Sequence, residues 1–211
     1  IKTLLKNGQE NFQPRYSPDG KEVAYLEERT TLKVLNLASG KSRLIMPGEM
    51  SYSYSDGDQW FDWSPDGQSL LVNFVDRNRW SNEVGLIDAQ GKGPLLNLTN
   101  SGYEDFHPLW ARGGQMMIWL SDRMGLHGTS GAAQSDVFGM FFTREAFDRF
   151  KLDKTEFALL KKQEEDDEKQ KDKGKDKADK SGKKDAGGEK KKADDDEAIK
   201  IWLDDNNLRY N

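Results

Sequence analysis

Tyr16, Trp63 and Trp110 stand at equal intervals of 47 residues, and the first two head the same tetrapeptide, Ser-Pro-Asp-Gly. The strings are "FQPRYSPDGKEVAYL", Phe12 to Leu26, and "WFDWSPDGQSLLVNF", Trp60 to Phe74. A third copy, "FHPLWARGGQMMIWL", Phe106 to Leu120, keeps Pro108, a small residue at Ala111, Gly114 and the apolar run from Met116 to Leu120. A unit that returns at fixed spacing is structural punctuation rather than a site, and it constrains the fold more than any composition does.

Each copy reads as strand, tight turn, strand. Pro presets φ at the second turn position, Asp bonds its local backbone, and Gly takes positive φ before the next apolar run. Further strands follow: "TLKVLNL" and "SRLI" around the turn "ASGK" in the first unit, "NEVGLIDAQGK" and "PLLNLT" in the second. None of these segments has the 3.6-residue period of a helical solenoid. Four short antiparallel strands cannot bury both faces of one sheet, but they can when sheets stack around an axis, which is a propeller blade. The large aromatics Tyr16, Phe61, Trp63 and Trp110 suit the space between adjacent sheets.

The expected fold class is therefore all-β: a partial β-propeller arc of about three to four four-stranded blades. A short helical and disordered charged insertion interrupts the third blade. Removing that insertion from 211 residues leaves 174, about 3.7 units of 47, below the four to eight blades of a closed ring. The opening "IKTLLK" matches "SRLI" and "PLLNLT" and is expected to be the last strand of a preceding blade. With no Met at its start, the chain reads as a piece of something longer.

The insertion runs from Lys161 to Glu197, where 13 Lys and 14 Asp or Glu fill 37 residues and the only hydrophobic side chains are three alanines. Such a stretch lacks the apolar surface that offsets ordering entropy, so a solvated, disordered loop is expected, with helix character near Glu164 to Lys171. Before it, the apolar spacing of Ala146, Phe147, Phe150, Phe157 and Leu160 predicts one or two short helices. The organisation is thus 1–160 propeller blades, 161–197 insertion and 198–211 a returning strand of the third blade.

A net charge of −5 gives no basic face for nucleic acid or an anionic membrane. No apolar run is long enough to span a bilayer, so no membrane insertion is expected. Without cysteine there is neither a disulfide framework nor a thiolate metal site.

Four groupings invite a chemical reading. His127, Ser130 and Asp136 in "GLHGTSGAAQSDVFG" hold triad residue types, but without the Gly-x-Ser-x-Gly elbow they read as a loop. His107 with Glu104 and Asp105 suggests a metal, yet successive strand residues point to opposite faces and too few ligands converge. Asp56 and Asp58 in "SYSYSDGDQW" lack the remaining calcium-loop spacing and read as a turn. Ser121, Asp122 and Arg123 read as a turn cap or an ion pair to a neighbouring blade. No catalytic, cofactor-binding or metal residue is assigned, and no cofactor is expected.

The strings "YSPDGKEVAYLEE", "LKVLNLASGKSRLI" and "WSPDGQSLLVNF" resemble propeller repeats of the TolB and tricorn protease type. "WLSDRMGLHGTSGAAQSDVFGMFFTREAFDRFKLDK", Trp119 to Lys154, resembles the blade of bacterial tricorn-like serine proteases that a helical, charged insertion interrupts. "IKIWLDDNNLRYN" looks like the returning strand after it. The resemblance implies a non-catalytic propeller segment of a serine peptidase, acting as scaffold and substrate-access element. Its implied partners are the remaining blades and catalytic domains, peptide substrates and, in some assemblies, further copies of itself. The alternative is a TolB-like protein-binding module of a cell-envelope complex. A propeller guarding a prolyl oligopeptidase-type hydrolase would need a downstream Gly-x-Ser-x-Gly. The resemblance leans to a periplasmic or cell-envelope location over a cytoplasmic one.

Overall fold

A computed structural model of the chain describes residues 3–125 and 134–178, with side chains excepted at 168 and 170–178. Among the described residues two units separate, one up to residue 143 and one from residue 144 on. The first holds the repeats, the second two helices.

The Ser-Pro-Asp-Gly turns fold as their chemistry dictates. The Ser17 hydroxyl donates to Asp19 Oδ1 (2.7 Å) and accepts from the Glu22 N–H, while Asp19 also accepts from the Lys21 N–H. Gly20, at φ +70°, closes the turn onto the Ser17 carbonyl. Ser64, Asp66, Gly67, Gln68 and Ser69 repeat this set of bonds 47 residues later. In the third copy Arg112, Gly113 and Gly114 make a 3-10 turn with all three φ positive, a conformation that two glycines make inexpensive.

These turns join β1 (Asn11–Tyr16) to β2 (Glu22–Glu27), β5 (Phe61–Trp63) to β6 (Ser69–Asp76) and β9 (Asp105–Ala111) to β10 (Met116–Ser121). The first sheet continues with β3 (Thr31–Asn36) and β4 (Ser42–Met46), the second with β7 (Ser81–Asp88) and β8 (Leu96–Asn97), and the third with β11 (Asp136–Phe141). Every pairing is antiparallel, and each sheet keeps the order of the chain. The architecture is an all-β partial propeller, an open arc that among the described residues has two four-stranded sheets and one three-stranded sheet.

β6 shows how the sheets stack. Its core, Leu70 to Val75, is buried throughout, and strand alternation splits it between two cores. Leu70, Val72 and Phe74 join Trp63, Ile87 and the first sheet's Ala24, Leu26, Leu32, Val34 and Ile45. Leu71 joins Val84 and the third sheet's Met117, Trp119 and Phe142. Each fully buried Leu stabilises the stack by about 1.5–3 kcal/mol, so the middle sheet is glued on both faces.

Of the four aromatics expected between sheets, Phe61 and Trp63 are buried and Trp110 is half-buried, but Tyr16 is 63% exposed. Trp63 and Trp110 each reach the sheet before their own, and the indole N–H of each donates to a main-chain carbonyl there. Tyr16 belongs to the first of the three sheets, and among the described residues no earlier sheet lies behind it.

Thr3 to Lys6 lie outside any strand, and the described residues hold no preceding blade with which they could pair. One further expectation needs correcting. The helices expected ahead of the insertion form, as α1 (Arg144–Lys151) and α2 (Lys154–Ala178), but α2 continues through the first half of the charged insertion, past the expected Glu164 to Lys171. A capping box starts α2, with Asp153 Oδ1 accepting from the Thr155 and Glu156 N–H groups while Glu156 Oε2 accepts from the Asp153 N–H. The residues beyond it are mostly Lys, Glu, Gln and Ala, which favour helix without any apolar face to bury. Arg149 and Glu164 pair between the two helices. Residues 179–197 of the insertion, and the returning strand placed at 198–211, lie outside the described residues.

Candidate functional site

The connections 47–60 and 98–104 and the turn 77–80 all emerge at one end of the sheets, because β5 and β9 start where β6 and β10 finish. Most of the sequence-derived candidates lie at this end. Of the triad types, His127 and Ser130 fall outside the described residues, and Asp136 is the exposed first residue of β11.

His107, Glu104 and Asp105 do not converge. Asp105 is fully buried, accepting from Ser101 Oγ, from Trp119 Nε1 (3.0 Å) and from the Arg123 guanidinium (2.9 and 3.0 Å). Glu104 accepts from the Asn82 amide, and the His107 ring lies against Trp60, centroids 5.0 Å apart. Ser121, Asp122 and Arg123 are structural as expected, although Arg123 pairs with β9 of its own sheet. Asp122 Oδ1 accepts from the Glu104 N–H and so holds the entry to β9.

Asp56 pairs with Arg29 at the surface. Asp58 ties its own loop, accepting from the Tyr54 and Ser55 N–H groups and the Ser53 hydroxyl. Partial burial works to raise the Asp58 pKa, but these donors outweigh it and hold it below the usual carboxylate value.

A row that the sequence reading did not single out runs along the first strands of the three sheets, β1, β5 and β9, here called the inner strands, with Trp60 immediately before β5. Gln13, Trp60 and His107 also stand 47 residues apart, so the repeat spacing alone would have found them. Gln13 and His107 are left-handed (φ +48° and +53°) and occupy matching bulges, before Pro14 and before Pro108. Those prolines remove N–H donors from the inner edge, which protects it from pairing with another strand. The Arg15 guanidinium covers one side of the Trp60 ring at 4.3 Å, while His107 packs nearby and the Trp60 indole N–H donates to the Pro108 carbonyl. Arg15, Trp60 and His107 thus link the inner strands of three consecutive sheets. Asp62 sits beneath, 3.6 Å from Arg15. Burial pushes its pKa up despite the Trp110 N–H and the Arg15 charge.

The second feature is an exposed aromatic group on two neighbouring loops. Tyr52 meets Tyr54 edge-on at 4.7 Å and Trp80 at 6.4 Å, and the three rings are 48%, 84% and 63% exposed. Asp58 fixes the Tyr54 backbone, the Gln59 amide donates to the Tyr52 carbonyl, and Arg77 donates to the Glu49 carbonyl while lying 5.4 Å from the Trp80 ring. Trp80 itself is at φ +53°, a costly conformation for a bulky side chain. The sequence signal was present in "SYSYS" and in a Trp closing the polar turn "DRNRW", but alternation of Tyr with Ser also fits a plain turn.

No protein-family model matches the sequence, and no curated protein matches it. Among solved structures the chain is similar in fold to a tricorn protease (14% identity, TM-score 0.48, 64% of this chain and 14% of that one). It is similar likewise to a TolB protein of Agrobacterium tumefaciens (15%, 0.46, 66% and 45%) and to a prolyl endopeptidase (17%, 0.46, 65% and 21%). The chain spans less than half the length of each.

Proposed function

We propose that this chain is the non-catalytic propeller segment of a serine peptidase, a scaffold whose inner strands frame and guide the path of peptides toward a cutting site on other domains. The observation that carries the reading is the link Arg15, Trp60, His107. It gives three successive sheets one continuous inner surface of guanidinium, indole and imidazole, a sequence-tolerant lining for a polypeptide. The fit with the described carboxylates is also good. Glu83 and Asp105, the two fully buried acids, are committed to holding loops in place rather than facing an open cleft. The chemistry proposed for this surface is binding and steric guidance.

Fluorophosphonate labelling of the whole chain tests the non-catalytic part, and no serine is expected to react. Stoichiometric labelling that His127→Ala abolishes would replace the scaffold reading with a hydrolase. Binding of extended synthetic peptides, followed by fluorescence anisotropy, tests the guiding part. Weak, sequence-tolerant binding that Trp60→Ala reduces is expected, and a complete lack of binding would overturn it.

A further inference from the structure

We propose that Tyr52, Tyr54, Trp80 and Arg77 form a catch for extended polypeptide, selective for segments in which a large apolar side chain lies next to a carboxylate. The inference rests on the peptide-guiding reading and names the chain chemistry that this end of the sheets prefers.

Three observations lead there. The first is exposure: Tyr52 touches both Tyr54 and Trp80, and the three rings are 48%, 84% and 63% exposed. Contiguous apolar surface of this kind marks an interaction site, and Trp, Tyr and Arg are the residues that dominate binding energy at such sites. The second is that the group is built rather than loose. Asp58, Gln59 and Arg77 fix the backbone beneath Tyr54, Tyr52 and the Glu49 turn, and Trp80 is held in a left-handed conformation that Gly or Asn would adopt at less cost. A Trp in that position weakens the fold locally, a cost that a use outside the fold would offset.

The third observation is charge, and it selects the occupant. Arg15, Arg29, Arg43, Arg79 and Arg123 each face a carboxylate within 4 Å. Arg77 has no carboxylate partner among the described residues; it donates to the Glu49 carbonyl and lies beside Trp80. An acid from a bound chain would meet a guanidinium with no competing ion pair, alongside rings that take an apolar side chain. The rings stand proud instead of lining a cavity. A folded protein keeps its large apolar side chains inside, whereas an extended chain offers them, so the geometry favours an extended chain.

The test uses the whole chain and two short, unstructured synthetic peptides, identical except that one carries Leu-Asp pairs and the other Leu-Lys pairs. Binding is read by anisotropy of a dye on the peptide. Tighter binding of the Leu-Asp peptide is expected, weakened about tenfold or more by Trp80→Gly and by Tyr54→Ala. Trp80→Gly should leave the melting temperature unchanged or raised, which separates loss of binding from loss of fold. Arg77→Glu should reverse the preference toward Leu-Lys. Tyr16→Ala, a similarly exposed ring on another turn, should change nothing. If both peptides bind and these variants at the loop end have no effect, the catch is wrong while peptide guiding stands. If neither peptide binds at any concentration tested, the guiding reading falls with it.

Discussion

The indole N–H of Trp63 donates to the main-chain carbonyl of Arg15 at 3.2 Å, and 47 residues on the indole N–H of Trp110 donates to the carbonyl of Asp62 at 3.3 Å. The second and third sheets are thus each pinned to the one before by the same bond at the same place in the repeat. Trp63→Ala should cost about 3–5 kcal/mol, the usual loss for a large buried aromatic, and Trp110→Ala less, because Trp110 is only half-buried. Trp63→Phe isolates the bond and should cost about 1 kcal/mol beyond the volume change. Urea unfolding of the three variants measures all of this; a Trp110→Ala loss equal to that of Trp63→Ala would mean that burial is not what ranks them.

Glu83 is a fully buried carboxylate in the middle sheet, accepting from the Thr99 hydroxyl and the Ser101 and Gly102 N–H groups, with Arg79 at 3.4 Å. Replacing it by Ala strands those donors and should cost about 3–5 kcal/mol. The Ser101 and Gly102 amides would lose hydrogen-exchange protection first. A loss below about 1 kcal/mol would show that the connection into β9 does not depend on this carboxylate.

Glu22 takes a two-point ion pair from Arg43, at 2.6 and 2.5 Å, and this fork holds its pKa below the usual value. A folded-state pKa below the unfolded one means stability that is fully present above the unfolded Glu value of about 4.3 and is lost as pH falls through the folded value. Arg43→Met should therefore destabilise by about 1–2 kcal/mol at neutral pH. The part due to Glu22 should vanish in strong acid, while the part due to the Arg43 Nε–H bond to the Ala89 carbonyl should remain. Equal differences from wild type at both ends of the pH range would rule the linkage out.

Asp62 shifts the other way. Its raised pKa means that the folded state disfavours the ionised form, so this residue's contribution improves as pH falls through the folded value. Asp62→Asn keeps an acceptor for the Trp110 N–H, removes the charge and should change stability by less than about 1 kcal/mol at neutral pH, in either direction. Thermal melts decide it; a loss of several kcal/mol would make the Arg15 pair the dominant effect.

The residues most open to a sequence reader were those whose role is local. Ser17, Asp19 and Gly20 bond only to one another and to the next few residues, so the tetrapeptide carries its turn wherever it stands, and its recurrence set the 47-residue spacing at which the sheets follow one another. The all-β class followed, and so did the structural roles of Asp58 and Arg123. The length of α2 did not, because apolar surface was the criterion applied, whereas a capping box and high-propensity residues suffice for a helix. Tertiary structure alone decided the fates of like residues. Tyr16 and Trp63 hold the same place in the repeat, yet one is exposed and the other buried, because burial depends on which sheet lies behind. Gln13, Trp60 and His107 share a spacing but become a surface only when three inner strands lie side by side, and Trp80 meets Tyr52 only because two loops leave the sheets at the same end. Contacts between residues far apart in the chain are set by how sheets stack, and no window of sequence contains that.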